Sequence, residues 1–400
     1  FATGGHTMLE KGKAAIGAWY GVDDKYYDDR RIQAVTECGI DFVFTGYNHD
    51  ERSEQILKSC EKYGLGLILF DWKYYQRPER YGTDTVEQSL DHISSPAVIG
   101  HALFDEPNCE LYDTLEHNRS VYKARFPDKL AYMNLLPLIH DTGRLGASSY
   151  EEYVELYAKK VNSDFISVDI YPLVVDNGRE YLHPDYINNL SVVADACRRY
   201  GREFWCFIQS MPFNIVRRAP SEADIRFEFY SLLAFGAKKI LHFCYATPPS
   251  GAEQFPYAMT DIYGEKTPLW HFCKTVNYEF RAFREIYERY DYIGTYSYKT
   301  EDVPDYLSFK ETADAQSLSA LNSDGCLLVG CFESPSGKGY IVTNMSRLED
   351  HQNVSFSFIP RADAVAYIKG LPQKLEKDAD GCVHLTLESG EGVFIEDRAE

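Results

Sequence analysis

Between Ala14 and Arg289 eight short apolar runs alternate with polar, helix-like segments, and that alternation confines the chain to a parallel α/β architecture. The runs are Ala14–Tyr20, Asp41–Thr45, Leu65–Phe70, Val98–Phe104, Leu130–Leu135, Phe165–Ile170, Glu203–Ile208 and Lys239–Tyr245. Helices are expected near Lys25–Cys38 and over Glu51–Tyr63, Val86–Ile93, Leu111–Arg125, Tyr150–Val161, Pro184–Tyr200, Ser221–Phe235 and Pro268–Arg289. Gly64, Gly201 and Gly236 sit where glycine ends a helix. Eight such units over about 290 residues suit a (β/α)8 TIM barrel better than a doubly wound sheet.

Near Asp291 the pattern changes to short alternating strands such as Leu327–Gly330, Tyr340–Thr343 and Val354–Phe358, separated by Gly, Pro, Ser and Asp turns. The chain therefore divides into a (β/α)8 catalytic barrel over residues 1–292 and a small all-β sandwich over 293–400.

The formal charge of -20 argues against nucleic acid or an anionic membrane surface as partner. A neutral carbohydrate is easier to reconcile, and the abundant tyrosine offers flat faces with polar handles. No membrane-length apolar run or signal peptide is visible. The ten cysteines are scattered with no Cys-x-x-Cys pair, which leans toward a reducing compartment.

Val98 to Pro107 carries the sharpest signal. An apolar strand ends in Asp105-Glu106-Pro107, and Pro107 stops the ladder, so two carboxylates reach the strand's C-terminal end. A plainer alternative makes Asn108 a helix cap, with the carboxylates answering the helix dipole. The other strand ends add weight to chemistry: Trp19, Tyr20, Tyr47, Asn48, Asp71, Trp72, Asn134, Asp169, Tyr171, Gln209, His242 and Tyr245. In a barrel those ends converge on one face. Cleavage of a glycosidic bond requires an acid beside the leaving oxygen and a second group for the developing positive charge. Glu106 is the expected proton donor, Asp105 its pKa-raising neighbour, and Asp169 the expected second group. The remaining polar and aromatic strand-end residues are expected to bind substrate, except Trp19, which is read as either a sugar platform or barrel core.

These motifs resemble those of the clan A glycoside hydrolases, in which the acid/base glutamate ends strand four. Asp105-Glu106-Pro107 is similar to an Asp-Glu-Pro variant of family-42-like barrels. Asp169-Ile170-Tyr171-Pro172, Phe235-Gly236-Ala237-Lys238 and Leu387 to Phe394 extend the likeness along the chain. The resemblance implies a hydrolase with no cofactor. One departure stands out: clan A places a nucleophilic glutamate at the end of strand seven, where this chain has Gln209. A substrate N-acetyl group could attack, Asp169 or Asp71 could replace the nucleophile or act as an inverting base, or the protein could bind sugar without cleaving it.

A metal-dependent sugar isomerase using Glu106, Asp169 and His242 as ligands is a weaker alternative, since no His-x-His or His-Glu-x-x-His spacing supports it. No metal is expected. A phosphate loop and a Gly-x-Ser-x-Gly elbow are both missing from the sequence. His101 and Trp205 lie inside strands and are expected to be core.

Overall fold

The computed structural model describes residues 9–21, 28–72, 74–77, 94–138, 142–312 and 315–398. Strands β1 (Ala15–Ala18), β2 (Phe42–Tyr47), β3 (Gly66–Asp71), β4 (Val98–Asp105), β5 (Leu130–Leu135) and β6 (Phe165–Asp169) run parallel in sequence order. After β6 a hairpin, β7 (Leu173–Asp176) and β8 (Arg179–Leu182), leaves the barrel; the alternation of apolar runs gave no hint of it. Strands β9 (Glu203–Gln209) and β10 (Lys239–Phe243) complete the set, and β10 pairs with β1 to close an eight-stranded barrel.

Helices α1 (Asp29–Glu37), α2 (Glu51–Tyr63), α3 (Tyr112–Arg125), α4 (Tyr150–Lys160), α5 (Tyr186–Tyr200), α6 (Glu222–Ala234) and α7 (Pro268–Tyr287) surround it. Their limits follow local chemistry. Asp28, Asp50, Ser149 and Ser221 accept from backbone N–H groups of the first turn, and Gly64 and Gly201 close α2 and α5 in the left-handed conformation. The helix expected at Val86–Ile93 lies outside the described residues, as does the start of that expected from Lys25.

Aromatic rings plug the barrel. Phe42, Phe44, Phe70, Tyr132, Phe165, Trp205 and Phe207 are buried together, with Phe165 and Trp205 stacked at 4.1 Å between centroids. A filled interior leaves the chemistry to the strand ends. His101 is buried against the Tyr122 hydroxyl at 3.0 Å.

Beyond α7 come β11 (Asp291–Tyr298), β12 (Asn322–Ser323), β13 (Leu327–Ser334), β14 (Gly337–Asn344), β15 (Val354–Phe358), β16 (Ala364–Ile368), β17 (Leu371–Lys374), β18 (Val383–Leu387) and β19 (Gly392–Arg398). They form antiparallel sheets ordered β11-β13-β14-β19-β16-β17 and β12-β15-β18. Period-two burial, as in Val383, Leu385 and Leu387 of β18, joins the sheets through a shared apolar cluster. The segment Leu387 to Phe394 crosses between the sheets, and the Asn344 amide holds the bend by donating to the Leu387 and Glu388 carbonyls.

Helix α6 couples barrel to sheet. Every residue from Asp224 to Ala234 is buried, because β9 lies on one side and β13, β14 and β19 on the other. The sheet approaches so closely that a Cβ on Gly330 would sit 2.1 Å from the Ala234 carbonyl oxygen. Gly330→Ala is therefore expected to destabilise the fold by about 1–3 kcal/mol through overpacking. Gly251, with nothing within 4 Å of its would-be Cβ, is the control site. Denaturant unfolding of Gly330→Ala and Gly251→Ala tests this, and equal midpoints would show that the contact relaxes freely.

Candidate active site

Strand β4 delivers Asp105 and Glu106 to the barrel mouth. Glu106 turns out of the strand at φ 51°, with its backbone N–H on the Asn134 carbonyl at 2.9 Å. A left-handed conformation costs a non-glycine residue roughly 1 kcal/mol or more, and such residues cluster at functional sites. The Tyr153 hydroxyl fixes the next turn by donating to the Pro107 carbonyl at 2.7 Å. Asn108 does cap the following turn, accepting from the Glu110 N–H at 3.0 Å, so capping and site coexist in this segment.

Register assembles the rest. Asp105 pairs with Asn134 across β4 and β5, and Asn134 pairs with Ser167 across β5 and β6. Asp169, two residues beyond Ser167, faces the same way. The Asn134 amide donates to Asp169 Oδ1 at 2.8 Å and also hydrogen-bonds Asp105. Its carbonyl oxygen accepts from Ser167 Oγ at 3.0 Å and the Tyr132 hydroxyl at 3.3 Å. Glu106 lies within hydrogen-bond reach of Asp169, so the two carboxyls touch rather than face each other across a sugar.

Three acids in contact cannot all ionise. Burial, with the Glu106 charge behind it, pushes Asp105 up to about 7. Burial followed by Glu106 and Asp105 holds Asp169 well above the usual carboxylate range. Glu106 is raised by burial, opposed by Arg144, whose Nη2 lies 3.3 Å from Glu106 Oε2, and raised further by Glu253. The cluster thus retains protons near neutral pH, as a general acid must.

The carboxyls open into a cavity of about 610 Å³. Trp19, Tyr20, Tyr75, Tyr171, Phe207, Phe213, Phe243 and Phe255 supply aromatic walls, with Arg144, Asn214, Arg217 and Glu253 among the polar lining. Of the strand-end residues read from sequence, Trp19, Tyr20, Asp105, Glu106, Asn134, Asp169 and Tyr171 meet here. The others lie elsewhere. Gln209 is fully buried, its amide bonded to Leu173 N–H and the Met211 and Arg218 carbonyls. His242 spends both ring nitrogens on Ser210 Oγ and Asn277 Oδ1, away from Glu106 and Asp169. Burial lowers its pKa to about 4. Asp71 bonds His49 at 2.9 Å, Tyr47 donates to Glu54, the Asn48 backbone N–H donates to Ser53 Oγ, and Trp72 is 45% exposed. Tyr245 borders a separate cleft beside α1. Among the described residues no group of three or more His, Cys, Asp or Glu could hold a metal ion.

Tyr75, Arg144, Phe213, Asn214, Arg217, Glu253 and Phe255 were not anticipated. All lie in loops beyond the strand ends, where periodicity carries no signal.

The glycoside hydrolase family 42 model, described as beta-galactosidase, matches residues 122–283. That span includes Asn134, Asp169 and Glu253 and begins after Glu106. Over that span the chain is similar to the family 42 glycoside hydrolases. No curated protein matches this chain in sequence. Among solved structures it is similar to a catalytic mutant of a family 42 beta-galactosidase from G. stearothermophilus, at 10% identity and TM-score 0.60 over 98% of this chain and 99% of that one. A family 39 glycoside hydrolase from the gut symbiont Bacteroides cellulosilyticus WH2 aligns at 11% identity and TM-score 0.53 over 98% and 82% of the chains. A beta-galactosidase from the psychrophilic Marinomonas ef1 aligns at 12% identity and TM-score 0.51, over 68% of this chain and 60% of that one. At such identities the likeness is one of fold.

The carboxyl cluster has a signature in stability. An Asp whose folded pKa is raised contributes fully below its unfolded value of about 3.9, and the contribution disappears as pH climbs through the folded value. For Asp105 that window runs from its ordinary 3.8 to about 7. Asp105→Asn is expected to match wild type near pH 4 and to exceed it in stability at pH 8. Denaturant midpoints at the two pH values measure this, and a pH-independent difference would contradict the buried-acid reading.

Proposed function

We propose that this hydrolase cleaves β-glycosides, with β-galactosides the first substrates to try, and that Glu106 protonates the leaving oxygen. The observation that carries the reading is the Asp105–Glu106–Asp169 cluster opening into an aromatic-walled cavity. Sugar rings present apolar C–H faces to such walls while their hydroxyls meet polar groups. The matching model's description as beta-galactosidase supports the choice of first substrate. Glu106, 35% exposed at its side chain, is the member of the cluster that solvent and substrate reach. Asp169 and Asp105 lie behind it, and burial together with the Glu106 charge holds their own carboxyls above the usual range.

The second group is Glu253. A retaining pair needs carboxyls about 5–5.5 Å apart and an inverting pair roughly 6.5–9.5 Å, which Asp169 in direct contact with Glu106 does not meet. Asp71 and Gln209 do not line the cavity, whereas Glu253 does. Its charge acts on Glu106 across that space, and Asn214 orients it through a 3.4 Å contact from Nδ2 to Oε1.

Two variants test the roles. Glu106→Gln is expected to slow turnover by about 10²–10⁴-fold on a disaccharide and less on a 4-nitrophenyl glycoside, whose leaving group needs little protonation. Equal losses on both would remove the acid assignment. Glu253→Ala is expected to lose activity and to regain it in azide, with a glycosyl azide as product. Retained turnover in that variant would return the second role to Asp169 or to the substrate itself.

A further inference from the structure

Arg217 lies in the loop joining β9 to α6 and lines the same cavity as Glu106. Its backbone is pinned by bridges to Val174 and Phe213, and its guanidinium carbon sits 6.0 Å from the Phe213 ring centroid. Neighbouring arginines have carboxylate partners: Arg144 pairs with Glu106, and Arg218 with Asp224 and Glu180. Among the described residues no carboxylate pairs with Arg217. Among the described residues its Nε is buried with no hydrogen-bond partner, and burial lowers its pKa with Tyr181 opposing.

For an arginine at a cavity wall, the missing carboxylate is a costly state. The side chain stays ionised, and removing its charge from water without an anion is costly. In a chain with 61 acidic residues against 41 lysines and arginines, a carboxylate partner was easily available. A planar fork of donors left open toward a ligand cavity matches a carboxylate or a sulfate, which it can grip through two parallel hydrogen bonds.

We propose that Arg217 forms an anion subsite of the cavity and that the sugar bound there carries an acidic substituent, a uronate carboxylate or a sulfate ester. The proposal rests on the hydrolase reading above and narrows it from neutral to acidic glycosides. The protein's negative charge opposes an anionic ligand at long range, where salt screens it. Inside the cavity, Asp105 and Asp169 retain protons near neutral pH, so the cluster repels less than three carboxylates would.

The test compares 4-nitrophenyl β-galactoside, the corresponding β-galacturonide and a 6-sulfated β-galactoside as substrates of the whole chain. At least one acidic substrate is expected to exceed the neutral one in kcat/KM by about ten-fold or more, the range of a charged hydrogen-bonded contact. Arg217→Gln is expected to collapse that ratio through KM, and Arg217→Lys to restore part of it. Whichever acid is preferred identifies the substituent. A neutral substrate cleaved as well as both acids, or a ratio indifferent to Arg217→Gln, overturns the subsite and leaves the hydrolase reading standing. Release from none of the three overturns the β-galactoside reading instead. Calorimetry of galacturonate and galactose then decides the subsite separately, with equal affinities counting against it and a galacturonate preference lost in Arg217→Gln counting for it.

Discussion

The amide of Asn134 is the piece on which the active face depends. It sits on β5, between the strand that carries Asp105 and Glu106 and the strand that carries Asp169. Its nitrogen serves the acids, its side-chain oxygen is held by Ser167 and Tyr132, and its main-chain carbonyl receives the Glu106 N–H. Carboxyls that repel one another stay together only if something neutral donates to them and cannot itself move. An aspartate in the same place would add a fourth negative charge, and an aliphatic residue would leave Asp169 without its donor. The proton held by this cluster is therefore a property of the register among three strands, rather than of any one residue.

That register is stabilised at the opposite end of the barrel and from outside. Asp41, buried at the start of β2, accepts from the Ile16 N–H and takes Arg281 and Arg284 of α7, tying the closing helix to the first two strands. On the outside, α6 is clamped between β9 and the C-terminal sheet, and the Arg226–Glu279 pair joins it to α7. Arg226 and Glu279 are both buried, and Asp41 is buried under two partly exposed arginines, so breaking either set would strand a buried charge. Neither touches the cavity, yet both fix strands whose ends form it.

Sequence reasoning reached the barrel because alternation is a long-range, repeated signal. It reached Asp105, Glu106, Asn134 and Asp169 because each ends an apolar run that burial requires to be a strand. It overreached at Gln209, His242 and Asp71, where a polar strand-end residue turns toward a neighbouring helix or loop instead of the mouth. Parity along a strand gives the direction of a side chain, but not the bend that each strand makes as it leaves the sheet. Glu106 itself shows this, since its left-handed turn is what points it to the cavity. Loop residues such as Arg217 and Glu253 carry no periodicity at all. Their placement depends on the β7–β8 hairpin and on the pairing of Asn214 with Gln254, both of which are tertiary facts.

Gln209 then acquires a physical meaning at the position where a clan A barrel carries its nucleophile. Its side chain accepts from Leu173 N–H, at the entry to the hairpin, and donates to Met211 and Arg218, at either end of the loop that carries Phe213, Asn214 and Arg217. Behind it, Glu228 accepts the Gln209 backbone N–H from a site so buried that its own carboxyl stays well above the usual range. A glutamate at 209 could not donate to the two carbonyls, and its charge would face a second buried acid. Restoring the family's nucleophile by that one substitution would unfasten the loop it was meant to serve. The strand end has become a latch, and the second carboxylate of the proposed chemistry is sought elsewhere around the mouth. Glu253, on the loop that Asn214 holds against this same latched segment, lines the mouth and is the acid proposed for that role.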